Sequence, residues 1–166
     1  MARILIGTGT TDANGVASTT LTGFGSGAVD VIAELSDEDY TLDFIIYEKD
    51  GNPVGNICFD RFRKEYNSLD VALNIHPDYW GNGYAKEAIV EIMNYIFSNL
   101  DIDNIIYGYA LENKKSMRVA KKIGFEPFRR FYEYYKRIDK DIESEECIMS
   151  KEKFNELYGV KTKWNF

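Results

Sequence analysis

Trp80-Gly81-Asn82-Gly83-Tyr84-Ala85-Lys86-Glu87-Ala88 lies between an extended segment at 69–75 and the clearest helical pattern in the chain. Two glycines two residues apart let the backbone turn tightly and let a ligand approach without a side chain in the way. The helix that follows offers unpaired N–H groups and the positive end of its dipole. Together these make an anion site of the kind that holds a pyrophosphate. The spacing is not the dinucleotide fingerprint, and no Gly-Lys-Ser/Thr follows to make a phosphate loop of the Walker kind. A plain structural turn explains the same residues.

Outward from this point the elements alternate. Downstream, Ala85, Ala88, Ile89, Ile92, Met93, Ile96 and Phe97 recur at steps of three and four, which predicts a core-facing helix over 84–98. A strand at 105–111 follows, then a helix at 114–123 that Gly124 ends in a left-handed cap. The Tyr/Phe-rich stretch 128–138 and residues 145–149 read as strands, and 150–158 as a terminal helical turn or two. Upstream, 41–48 and 54–63 form an antiparallel hairpin around Lys49-Asp50-Gly51-Asn52-Pro53, and 69–75 is a third strand stopped by Pro77. The order after residue 40 is β-β-β-α-β-α-β-β. The helix between 69–75 and 105–111 makes a right-handed parallel crossover. The fold class is α/β (α+β), a mixed central sheet flanked by helices.

Residues 1–35 have another character, with no Lys, one Arg and six Gly. They read as short strands at 3–6, 16–22 and 28–35, with turns at Asp12-Ala13-Asn14-Gly15 and Phe24-Gly25-Ser26-Gly27. Residues 9–34 resemble part of a bacterial Ig-like repeat, in which Thr-Asp-x-Asn-Gly-x-Ala precedes an alternating strand. The division expected is a β-hairpin-like segment, 1–36, and a second unit, 37–166.

Composition narrows the function. The 166 residues suit a single domain with little to spare. Cys58 and Cys147 are too few for a disulfide framework, which makes a reducing, cytoplasmic setting the default. One histidine excludes a multi-histidine metal site, and no Cys pair has zinc-ligand spacing, so no metal is expected. No apolar run reaches the roughly 20 residues that span a bilayer. A net charge of −7 argues against nucleic-acid binding and suits a cationic substrate.

A second cluster gives the first its meaning. Tyr109-Ala110-Leu111-Glu112-Asn113-Lys114-Lys115-Ser116 ends a strand and opens a helix, which closes with Lys122-Ile123-Gly124-Phe125. Taken alone, Asn113 reads as an N-cap and Ser116 as a first-turn residue that caps locally. Taken together, the two clusters resemble the GNAT superfamily of N-acetyltransferases, nearest to its ribosomal-protein N-acetyltransferase-like branch. The glycine turn of that branch, x-G-x-G-Y/I-A-x-E-A, is matched by Gly81, Gly83, Tyr84, Ala85, Glu87 and Ala88. Its A-x-x-N-x-x-S followed by K-x-G-F is matched by Ala110, Asn113, Ser116, Lys122, Gly124 and Phe125. The resemblance covers about residues 41–154.

The resemblance implies acetyl-CoA as co-substrate, with its pyrophosphate on the N–H groups of Gly81, Asn82, Gly83, Tyr84 and Ala85. It implies that strand 69–75 splays from 105–111 and that main-chain groups around Leu73 and Ile75 bind the pantetheine arm like an added strand. One N–H there would face the developing oxyanion. Asn113 would contact the pantetheine, and Ser116 would lie near the departing thiolate. Many members carry a tyrosine acid in the second helix. Here that position is Ala120, which leaves Ser116 as the proton donor. The base is sought among His76, Glu65, Asp70, Glu112 and ordered water. His76 has the side chain whose ordinary titration falls nearest neutrality, although a lone histidine where a strand leaves a sheet is more often structural.

The family normally begins with a strand and one or two helices that wall the acceptor site, and residues 1–40 show no helical period. Two functions are therefore expected to compete. One is transfer of acetyl to a primary amine, on a small molecule or a peptide, by direct attack through a tetrahedral intermediate. The other is a non-catalytic CoA-binding or assembly protein on the same fold. Exposed sheet edges in the N-terminal half suit a homodimer.

Overall fold

The computed structural model describes residues 16–21, 29–35, 40–48 and 50–159, with side chains described from residue 43 onward. The expected strand at 3–6 and the turns at 12–15 and 24–27 lie outside these residues. Eight strands form one sheet: β1 (Val16–Leu21), β2 (Val29–Leu35), β3 (Tyr40–Tyr47), β4 (Pro53–Arg63), β5 (Ser68–Ile75), β6 (Asn104–Ala110), β7 (Glu126–Tyr135) and β8 (Lys140–Ser150). The helices are α1 (Tyr84–Asn99), α2 (Lys114–Ile123) and α3 (Lys151–Tyr158). The strand order is β1-β2-β3-β4-β5-β6-β8-β7, and every pairing is antiparallel except β5 with β6. The expected parallel crossover is present, with α1 as its helix.

Residue alternation sorts the sheet. Leu69 and Val71 of β5, Ile105, Tyr107 and Tyr109 of β6, and Cys147 and Met149 of β8 join one buried cluster. Ile89, Ile92, Met93, Ile96 and Phe97 of α1, Ala120 and Ile123 of α2 and Phe154 of α3 complete it. Each large buried side chain contributes about 1.5–3 kcal/mol. The alternate residues, Ser68 and Asp70 of β5, Gly108 of β6 and Glu146 of β8, point to the opposite face.

That face is polar and cross-linked. β4 carries a register shift between Asp60 and Arg63, with Arg61 at φ 48°. The shift aims Arg63 across the sheet. Its guanidinium donates to Asp70 at 2.6 Å and to both carboxylate oxygens of Glu146 at 2.7 and 3.1 Å. Gly108, directly opposite Glu146, brings no side chain to this path. Arg129 donates to Glu146 at 2.6 Å on this face, while on the helix-covered face Arg130 donates to Glu145 at 2.8 Å.

β8 is longer than the expected strand at 145–149, because its first residues pair with the end of β7, from Tyr135↔Lys140 to Tyr132↔Glu143. The strand runs from Lys140, and its buried carboxylates, Glu145 and Glu146, are neutralised by residues distant in sequence. β7 also starts two residues earlier and stops three earlier than the 128–138 expected.

Gly55 is the glycine that packing demands. A Cβ there would stand 2.2 Å from the Asn74 carbonyl oxygen. Gly55→Ala is expected to destabilise the protein by about 1–3 kcal/mol, read from the urea midpoint. Arg63→Ala leaves Glu146 buried with Arg129 as its remaining cation among the described residues, and the loss expected is about 3–5 kcal/mol. Burial pushes the Glu146 carboxyl up, but Arg63 and Arg129 outweigh it and hold it below the usual range; Tyr109 and Arg130 do the same for Glu145. Groups lowered in the folded state add stability that is complete above the ordinary glutamate range and lost as pH falls through the lowered values. The urea midpoint of the wild type therefore falls in acid. Arg63→Ala weakens the Glu146 part of that dependence.

Candidate active site

The parallel pairing of β5 with β6 is short. It runs from Ser68↔Asn104 to Val71↔Tyr107 and then stops, although β5 continues to Ile75 and β6 to Ala110. Past this point β5 stays with β4, down to the His76 N–H on the Val54 carbonyl at 2.8 Å. β6 stays with β8, and the Leu111 N–H reaches the Glu143 carbonyl at 2.9 Å. The strands part where the sequence reading expects a splay. Because His76 donates toward β4, alternation turns the N–H and C=O groups of Leu73 and Ile75 toward the gap.

The glycine turn stands beside the end of β5. Gly81 and Gly83 have φ of 88° and 91°, a region that L side chains rarely adopt. A Cβ on either would meet nothing within 4 Å. Open space over the turn, and not packing, is what the missing side chains leave. Gly83 is the N-cap of α1 and has no side chain to cap it. The first helical bond runs from the Glu87 N–H to the Gly83 carbonyl at 3.1 Å, so the N–H groups of Tyr84, Ala85 and Lys86 precede the helical ladder. This free end of a 16-residue helix fits a pyrophosphate.

The side chains of this turn are drawn away from it. Asn82 Nδ2 donates to its own loop, at the Tyr79 carbonyl. The Tyr84 phenol donates to Glu48 at the end of β3, and that bond pushes it up to about 12. Lys86 Nζ reaches the Lys122 carbonyl at 3.4 Å.

At the other lip, Asn113 caps α2 by accepting the Ser116 N–H at 3.1 Å. The local capping role is therefore filled by Asn113. The Ser116 hydroxyl instead meets the Tyr107 phenol, which burial pushes up and the Ser116 hydrogen bond draws down. Tyr107 sits at the last paired position of β6, under α2, and is buried. The sequence reading missed it, because β6 looks like any core strand until its register with β5 is known. Ala120 is fully buried, so α2 presents no polar side chain at that position.

His76 is spatially less committed to the gap. Its side chain is 61% exposed and N-caps the short turn after β5, accepting the Asp78 N–H on Nδ1 at 3.4 Å. In a neutral imidazole that nitrogen is the basic one, so proton uptake by His76 requires release of Asp78. Of the other base candidates, Asp70 is tied to Arg63, Glu112 is exposed and 3.6 Å from Lys140, and Glu65 is exposed.

Trp80 joins the two lips. Its indole N–H donates to the Ile75 carbonyl at 2.7 Å, and Lys115 Nζ lies 3.2 Å from the ring centroid. Trp80 thus occupies the acceptor on β5 that faces the gap, and Lys115 holds the ring from the first turn of α2.

Comparison with known proteins completes the picture. The family profile "Acetyltransferase (GNAT) domain" matches residues 20–126, more than half of the chain. The uncharacterized N-acetyltransferase YoaA of Bacillus subtilis (strain 168) is 30% identical over 73 residues, 44% of this chain and 41% of that protein. The spermidine N(1)-acetyltransferase of Vibrio cholerae is 24% identical over 82 residues, 49% of this chain and 47% of its own length. The chain spans about half the length of the curated relatives it matches. Among solved structures, the Vibrio cholerae spermidine N-acetyltransferase in complex with CoA and spermine superposes with a TM-score of 0.62 at 19% identity, covering 69% of this chain and 68% of that one. A GNAT-family acetyltransferase from Bacillus anthracis gives 0.60 at 24% identity, with 66% of each chain covered. At these identities the likeness is one of fold. With the profile match and a mixed sheet that opens between its two parallel strands, the chain belongs to the GNAT acetyltransferase domain family.

Proposed function

We propose that this protein is an acyl-CoA-dependent N-acetyltransferase that moves acetyl from acetyl-CoA to a primary amine by direct attack through a tetrahedral intermediate. One observation carries the reading: the unpaired edge of β5 past Val71 lies next to an uncapped helix start with open space over Gly81 and Gly83. The N–H groups of Gly81, Asn82, Gly83, Tyr84 and Ala85 bind the pyrophosphate. The main chain of Leu73 and Ile75 binds the pantetheine arm as a strand would, and an N–H there stabilises the oxyanion. Asn113, fixed by its cap, lines the arm.

Ser116 donates its hydroxyl proton to the leaving thiolate, and the Tyr107 phenol orients that hydroxyl from below. His76 takes the proton from the amine. The acceptor is a small amine, in keeping with the spermidine acetyltransferases that share the fold and with the net charge of −7. The free thiols Cys58 and Cys147 suit a cytoplasmic setting. Residues 1–36 are proposed as a β-hairpin-like N-terminal segment ahead of the acetyltransferase domain at 37–166.

The second reading, a CoA-binding protein without turnover, draws on two observations. Ala120 stands buried where many relatives carry a tyrosine acid, and the basic nitrogen of His76 is engaged by Asp78. Turnover separates the two readings.

Calorimetric titration with acetyl-CoA tests the shared part. Binding is expected, and its absence at about 1 mM ligand would overturn both readings. Gly83→Val is expected to lose at least tenfold in affinity, because a side chain fills the open space and strains the turn. Thiol release with a panel of amines tests the transfer. Tyr107→Phe keeps the ring and is expected to leave acetyl-CoA affinity unchanged while kcat falls about tenfold. Ser116→Ala should fall further. His76→Asn is expected to lower kcat/KM at least tenfold while acetyl-CoA affinity stays unchanged.

A further inference from the structure

Among the described residues the sheet ends at β7, which pairs there with β8. Sheet edges are normally protected by prolines, charges or bulges. Here the register shift between Pro127 and Arg129 protects only the start of the strand, and from Arg129 to Tyr135 the pairing with β8 is regular. This stretch and the turn after it also carry most of the large apolar side chains that the described residues leave exposed: Tyr132 at 71%, Tyr134 at 58%, Tyr135 at 41% and Ile138 at 60%. A long regular edge flanked by exposed aromatics marks an interaction surface.

The charge pattern says what fits it. When a strand pairs antiparallel with its own copy, the two-fold axis stands perpendicular to the sheet and like faces stay together. Facing residues must then both be odd-numbered or both even-numbered. An axis at Arg130 or at Glu133 sets like charges against each other, which is unfavourable. An axis at Tyr132 sets Phe131 against Glu133. An axis at Phe131 sets Arg129 against Glu133 twice, Arg130 against Tyr132 twice, and Phe131 against Phe131. Every charge then meets an opposite charge or an aromatic face.

The residues are held ready for this. Arg129 and Arg130 are fixed by Glu146 and Glu145, and their side chains remain 49% and 62% exposed. The Arg129 guanidinium also lies 5.3 Å from the Phe131 ring centroid. Glu133 is exposed and forms no ion pair among the described residues. We propose that β7 is a homodimer interface, at which two copies of this chain join edge to edge, antiparallel, about a two-fold axis at Phe131.

Sedimentation of the full chain from about 1 to 100 μM tests this. The wild type is expected to pass from monomer to dimer in that range. Glu133→Arg sets Arg against Arg129 and is expected to weaken the dimer at least tenfold, with the far-UV spectrum unchanged. In a Cys58→Ser background, Phe131→Cys is expected to form a disulfide-linked dimer under oxidation, because the axis brings the two side chains together. Glu133→Cys is expected to stay uncrosslinked. The cross-link keeps the proposal testable should Glu133→Arg fail to fold. A monomer across the whole range overturns it, as does a folded Glu133→Arg that dimerises like the wild type, or a Phe131→Cys that does not cross-link.

Discussion

Four residue pairs govern this molecule. β5 and β6 run together from Ser68 to Val71 and then separate, and the remaining site residues take their places around that gap. The closed end is tied by polar contacts. The Asn67 carbonyl accepts from the Asp103 and Asn104 N–H groups at 3.0 and 3.3 Å, and Asn104 Nδ2 returns to the Tyr66 carbonyl at 2.7 Å. Arg63 then crosses from β4 to β8 and holds Asp70 and Glu146 in one ionic group. At the open end each strand is claimed by its other neighbour. The absent side chain of Gly55 lets β4 lie close to the end of β5, while β8 keeps β6. A gap between hydrogen-bonded strands costs unpaired backbone groups unless something fills it. Trp80 fills one such group now, and a ligand with amides of its own could satisfy the rest.

What could be read from sequence was what is local. Gly81 and Gly83 announce a left-handed turn because no other residue enters it cheaply. Asn113 and Gly124 bracket α2 by rules that involve only neighbouring residues, and α1 shows its buried stripe in its own period. The splay was inferred from a family resemblance, and the register bears it out. Gly55 depends on Asn74, Tyr107 on Ser116 and Trp80 on Ile75 and Lys115, contacts that only the sheet geometry brings about. Gly55 did carry a signal, since glycine inside a strand often marks a close backbone approach. Tyr107 carried none, because an apolar-looking strand does not say which phenol will end up under a serine.

β8 shows the same limit from the other side. Its carboxylates Glu145 and Glu146 fall in the strand the sequence indicates, but nothing local says that they are buried, which they are because Arg63, Arg129 and Arg130 converge on them from β4 and β7. Sequence pattern treats a charge as a solvent-seeking group. In this sheet charge is paid out in matched sets, and those sets order the edge strand: the arginines that neutralise Glu145 and Glu146 are the ones β7 displays at its rim.

The cysteines bear on the chemistry of transfer. An acetyl group could pass through an enzyme thiolate before reaching the amine, and such a route needs a thiol that ionises near neutral pH. Cys58 lies on β4, within one strand of the gap. Burial pushes its thiol strongly up, and Asp43 and Asp60 beside it push further in the same direction. Burial raises Cys147 as well, against the Tyr109 hydrogen bond that lowers it. Neither sulfur is a nucleophile in this setting. The direct attack proposed above needs neither sulfur, and the acids beside Cys58 keep its thiol neutral.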